Sequence, residues 1–96
     1  MAQAPLVRVQ VHPDGGESFV VDVTTRDGLR WERARKGRSI KRFDDNPTFE
    51  DLYSLTFVAV LRDGRFDGDI NQFEERCDLE RIAIDDDEAG PTPPDR

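Results

Sequence analysis

The segment Phe49 to Arg62 dominates what this chain can fold into. Pro47, then Thr48 with Asp51 three residues on, is a capping-box-like helix start, and Asp63-Gly64 marks the stop. At 100° per residue, Val60, Phe49, Tyr53 and Phe57 fall side by side. Leu55, Ala59, Leu52 and Thr56 extend that apolar surface to an arc of about 200°. A helix lying on the outside of a domain needs only about half of this. Val58 and Leu61 fall outside even the wider arc. Such a helix is either the central core element or keeps a second face for a partner.

The rest of the sequence offers little else to cover it. Val7, Val9 and Val11 alternate with Arg8 and Gln10, and Phe19, Val21 and Val23 repeat the pattern. Asp14-Gly15-Gly16 between them supplies turn residues, so the pair reads as a β-hairpin with one apolar face that must be covered. Thr24-Thr25-Arg26-Asp27 caps a second helix, expected to run to about Lys36 and stop at Gly37, with Leu29, Trp31 and Ala34 as its thin apolar content. Residues 37–47 read as a connector pinned by Ile40 and Phe43. Asp69-Ile70-Asn71-Gln72 is a capping box for a further helix, on which Ile70, Phe73 and Cys77 face inward. Leu79 to Ile84 is either a continuation of that helix or a short strand against the hairpin. The expected architecture is α+β: an N-terminal β-hairpin packed on two to three α-helices. Residues 1–84 form a single domain, and 85–96 form a disordered, acidic, proline-containing tail.

Composition narrows the function. The longest apolar run, Phe57 to Leu61, is far short of the roughly 20 residues of a membrane span. Met1-Ala-Gln-Ala-Pro5 has neither the basic nor the apolar region of a secretory signal. One cysteine excludes an intramolecular disulfide and fits a reducing compartment. Those features describe a soluble cytoplasmic domain without membrane partners.

The net charge of −7 hides a basic block. Residues 26–42 hold eight cations against Asp27 and Glu32, a balance of +6, whereas residues 43–96 carry −11. Such a block is expected to be solvated or to dock on the protein's own acidic part or a second copy's. Nucleic-acid binding would have to overcome repulsion from the remaining −13, so no nucleic-acid partner is expected.

Signals for catalysis and metals are poor. No glycine-rich phosphate loop, GxSxG or HExxH occurs, and neither His12 nor Cys77 has a recognisable activating partner. Asp67, Asp69, Asn71 and Asp78 imitate calcium-loop spacing, but Gln72 stands where the loop needs glycine. No enzyme, cofactor or metal site is expected.

Several segments resemble the tail assembly chaperones of long-tailed (siphovirus-type) phages infecting actinobacteria. The resemblance is carried by Val21-Asp-Val-Thr-Thr-Arg-Asp27, by Arg30-Trp31-Glu32-Arg33, and by Leu52-Tyr-Ser-Leu-Thr-Phe-Val-Ala-Val-Leu-Arg62, similar to the family's Leu-Thr-Phe-Leu-Ala-type helix. It continues through a glycine-containing turn to Phe73-Glu74-Glu75 and spans roughly residues 18–84. Between the two main helices the family often has a Lys-Trp-Pro-like element, where this chain reads Lys36-Gly-Arg-Ser-Ile-Lys-Arg-Phe43.

The resemblance implies a protein that binds the tape-measure protein, assists polymerisation of the major tail-tube protein around it, and is absent from the finished virion. Many such proteins also exist in a frameshift-extended form. The expected partner surface comprises Trp31, Phe57, Val58 and Leu61, with Arg30 and Arg33 as rim charges, and homo-oligomers are compatible with it. Competing classes are a structural virion protein (connector or tail component), or a small acidic interaction domain such as a DNA mimic.

Overall fold

A computed structural model describes residues 5–84. The tail expected over 85–96 lies outside those residues. Val7–Pro13 (β1) and Phe19–Val23 (β2) form the antiparallel hairpin, in register from Val7 opposite Val23 to Val11 opposite Phe19. Gly15, at φ +71°, takes the left-handed turn conformation that side chains resist. Cys77–Ile82 (β3) pairs antiparallel with the other edge of β1, giving the order β2-β1-β3. The alternative left open for 79–84 is therefore resolved as a strand, and Cys77 begins it rather than ending a helix.

Period-two alternation sorts the two faces of this sheet. Val7, Val9, Val11, Val21, Val23 and Cys77 are buried on one face. Polar pairs occupy the other: Arg8 Nε donates to Asp22 Oδ1 at 2.7 Å, and His12 Nε2 lies 3.2 Å from Glu80 Oε1.

Four helices among the described residues cover the valine face, one more than expected at most. Thr25–Ala34 (α1) starts at the Thr24 capping box and ends with extended Arg35 as its C-cap, just short of the expected Lys36. Ile40–Asp45 (α2) is a short helix inside the expected connector, capped by Ser39 accepting from the Arg42 backbone N–H, with Phe43 as its buried pin. Phe49–Arg62 (α3) has the boundaries its capping signals gave. Ile70–Arg76 (α4) begins at the Asp69 capping box and leads directly into β3.

The apolar arc of α3 is used from several sides. Leu52, Leu55, Ala59 and Val60 are buried in the cluster that contains the sheet valines. Tyr53 and Phe57 turn toward α4 and meet Phe73, Tyr53 edge-on and Phe57 tilted, at centroid distances of 5.9 and 5.3 Å. The Tyr53 hydroxyl donates to the Cys77 carbonyl at 2.8 Å, which ties α3 to the start of β3.

The α1 helix docks differently, because it buries Asp27, Gly28 and Trp31 while Leu29 and Ala34 stay exposed. At Gly28 an added Cβ would lie 2.9 Å from Leu6 Cδ1 and 3.2 Å from Ile40 Cδ1, so a side chain there would push the neighbours apart. Asp27 is fully buried, and its Oδ2 accepts from the Thr24 backbone N–H at 2.9 Å and from Arg62 Nη1 at 2.9 Å. Arg62 Nη2 also donates to the Asp22 carbonyl at 3.1 Å, so one guanidinium joins α3, α1 and β2.

Asp27 is sealed from water, whereas the Arg62 side chain keeps 31% exposure, so the two partners are not equally dependent on each other. Arg62→Ala, which leaves the fully buried Asp27 carboxylate without its cation, is expected to lower the unfolding free energy by about 3 kcal/mol in urea titrations, and Asp27→Ala, which leaves a guanidinium that still reaches water, by less. The double variant is expected to lose clearly less than the sum, as a coupled pair requires.

Candidate partner-binding surface

The six residues expected at a partner surface separate into three groups. Trp31 is 1% exposed, donates its indole N–H to Ser54 Oγ at 2.9 Å, and meets Phe43 edge-on at 6.2 Å. It is a core residue, and its place on an exposed surface is corrected: α1 has so little apolar surface that its one large ring is needed inside. Phe57 is half-buried in the aromatic group with Phe66 and Phe73. Val58 is half-buried and packed against the core. It shares a helix face with Ser54 and Arg62, both of which bond to α1 or its cap.

Arg30, Arg33 and Leu61 are the members left at the surface, Leu61 at 48% exposure. Arg30 lines a depression of about 420 Å³ with Asp22, Thr24, Arg26 and Arg62. Arg33 does not line that depression. The six therefore do not converge on one surface.

A different surface forms at the opposite end of α3. Phe49 is 82% exposed, well above Leu61, Val20 and Leu29, the other exposed large apolar side chains among the described residues. It stands beside a depression of about 510 Å³ lined by Phe43, Pro47, Leu52, Leu79 and Arg81. Each wall follows from local structure. Pro47 and Leu52 hold the positions either side of the Thr48 cap at which a hydrophobic staple forms. Leu79 lies opposite Val11 on the covered face of β3, at the free edge of the sheet. The Arg81 guanidinium sits 5.2 Å from the Phe43 ring centroid and supplies one positive charge to the rim.

By angle Phe49 falls within the inward arc of α3, so the wheel alone hides it. As the first residue of α3, it sits at the end of the helix, where the covered face runs out. The legible signal was its position immediately after the cap, not its angle.

The chemistry of this surface is that of contact. Asp69 Oδ1 accepts from the Gln72 N–H at 2.9 Å, so the residue proposed for calcium-like spacing acts as a helix cap. Among the described residues no group of three or more His, Cys, Asp or Glu side chains comes together as a metal site. Burial, and then the negative charges of Asp14 and Asp78, pushes the Cys77 thiol above its ordinary pKa, the opposite of activation. No described helix is long and apolar enough to cross a membrane. Compared with protein families, curated proteins and solved structures, the chain matches none.

Two outcomes check these placements. Phe49→Ser is expected to change stability by less than about 0.5 kcal/mol, whereas Trp31→Ala costs about 3–5 kcal/mol, both read from urea midpoints. Cys77 in the folded chain is expected to react with iodoacetamide at pH 8 at least about tenfold more slowly than a free peptide thiol. Because its folded pKa is raised, the thiol's contribution to stability is complete below the ordinary thiol pKa and is lost as pH climbs above it.

Proposed function

We propose that this protein is a non-enzymatic tail assembly chaperone of a long-tailed actinobacteriophage, which binds the tape-measure protein through the apolar depression beside Phe49. The resemblance over residues 18–84 supplies the class. The observation that carries it to a surface is Phe49, 82% exposed against a wall of Phe43, Pro47, Leu52 and Leu79. A large exposed ring beside an apolar groove is the arrangement that receives one face of an amphipathic helix. A tape-measure protein is long, helical and apolar, so its exposed faces aggregate unless they are covered. Bound copies would cover them and leave outward a body of net negative charge, which keeps coated chains apart.

On this reading the protein works in the host cytoplasm, assists addition of tail-tube subunits as copies leave, and is missing from the finished particle. Its part is binding and release, with no covalent step.

Co-expression with the tape-measure protein, followed by size-exclusion chromatography with light scattering, tests this. The expected result is a soluble complex holding several copies of this chain, with the tape-measure protein insoluble alone. Phe49→Asp is expected to abolish the complex while circular dichroism of the free variant stays unchanged. A complex that survives Phe49→Asp would move the contact elsewhere, and recovery of this chain from purified particles would favour a structural virion protein instead.

A further inference from the structure

Five cations crowd the connection between α1 and α2 and the first turn of α2: Arg35, Lys36 and Arg38, then Lys41 and Arg42. A depression of about 440 Å³ is walled by Arg35, Lys36, Arg38 and Arg42, with Glu50 and Asp51 also on its lining. Arg38, Lys41 and Arg42 border a second one beside it. Among the described residues the only ion pair made by the five is Lys41 with Asp45, at 3.2 Å. Arg38 and Arg42 instead donate to the backbone carbonyls of Trp31 and Gly37. Both guanidiniums are thus held in place with their charge uncompensated by a contacting carboxylate. Burial, and then the neighbouring Arg35 charge, holds the Arg38 guanidinium below its ordinary pKa, against weaker opposing effects of Asp51 and Glu50. The body of the fold leaves this face short of anions.

The chain itself carries a matching anion. Asp85-Asp86-Asp87-Glu88 are four consecutive carboxylates that follow directly on the last described residue, Ile84. The strand that leads to them touches the helix that carries part of the cationic face. Arg81, near the end of β3, lies over Phe43 of α2 at 5.2 Å, and Phe43 is the chain neighbour of Arg42. Glu88 is seven residue steps from Arg81, a reach of about 24 Å when extended. A tethered ligand at such a distance acts at an effective concentration of roughly millimolar, which exceeds any second copy in dilute solution.

We propose that the acidic segment Asp85–Glu88 docks in its own chain on the face formed by Arg35, Lys36, Arg38 and Arg42, and screens that face from other anions. The contacts are exposed ion pairs, individually weak and sensitive to salt, so the docked state is reversible. This proposal stands on charge and connectivity and is independent of the chaperone reading.

The test compares the intact chain with one carrying Asp85→Asn, Asp86→Asn, Asp87→Asn and Glu88→Gln, by amide and arginine side-chain NMR in about 20 mM salt. Neutralisation is expected to shift the signals of residues 35–42, far from the changed positions in sequence. The difference should vanish near 0.5 M salt and be unchanged by about tenfold dilution. It should also shrink when Arg35→Gln and Lys36→Gln, two side chains without described partners, are added, with the fold checked by circular dichroism. Absence of any shift at 35–42 overturns the proposal. So does a shift that fades on dilution, which would assign the acidic segment to a second copy. A duplex DNA that binds the intact chain as tightly as the neutralised one, shifting the same signals, also overturns it by making the face a nucleic-acid surface.

Discussion

The arrangement of α1 depends on one ion pair, between a buried carboxylate and a guanidinium that reaches it from the surface. Asp27 is both the acid that closes the α1 capping box and the carboxylate that receives Arg62 from the end of α3. Such a pair need not add much net stability, since desolvating the carboxylate costs several kcal/mol that its partner must offset. What it provides is position. An α1 helix with Trp31 as its only large buried side chain could slide or rotate along α3 at little cost. The Asp27–Arg62 contact, with the Arg62 link to the Asp22 carbonyl, allows one register. Gly28 then lets Leu6 and Ile40 close over the helix, and Trp31 reaches Ser54 one turn further on.

The sheet is held by the same economy. Two strands with one apolar face are not stable by themselves, and β3 turns them into three. Its placement is transmitted through α3: Tyr53 and Phe57 grip Phe73 of α4, and the Tyr53 hydroxyl binds the Cys77 carbonyl where α4 becomes β3. The wide apolar arc of α3 is therefore explained mostly by internal demand. It faces the valines, α1 and the α4 aromatic group at once, and the surplus of exposed apolar surface is concentrated at its first residue.

Strong local signals were legible in the sequence and weak tertiary ones were not. Alternating valines around Asp14-Gly15-Gly16, and the caps at Thr24, Thr48 and Asp69, gave the hairpin and three helix starts, because each is decided within a few residues. The short helix α2 escaped, since Gly37, Pro47 and the intervening charges have loop composition, and Ser39 caps only a single turn and a half. The pairing of β3 was undecidable from Leu79 to Ile84 alone, because its partner lies about seventy residues away in β1. Only Val58 and Leu61 stand apart by angle, and the angle treats a helix as endless, while Trp31 and Phe57 join them as large apolar side chains. In the fold, α1 covers the stripe that Val58 shares with Ser54 and Arg62, and α4 packs against Phe57. Phe49, inward by angle, is outward by position. Arg62 is legible as the end of α3 but not as the partner of Asp27, which only the meeting of two helix ends reveals.

The turn Asn46-Pro47-Thr48 explains why two unlike surfaces lie next to each other. Pro47 cannot continue α2, and Thr48 must start α3, so the chain reverses in a few residues and leaves depressions on both sides. Thr48 lines the apolar one with Phe43 and Leu52, and the basic one with Arg35 and Arg42. A ligand that occupies one side therefore comes within a residue or two of the other. An apolar helix seated against Phe49 would gain from acids placed toward Arg42, and an anion held by Arg42 would alter the rim that such a helix meets. The two surfaces are chemically distinct, yet Thr48 lines both, so a ligand in either one meets the residue that caps α3.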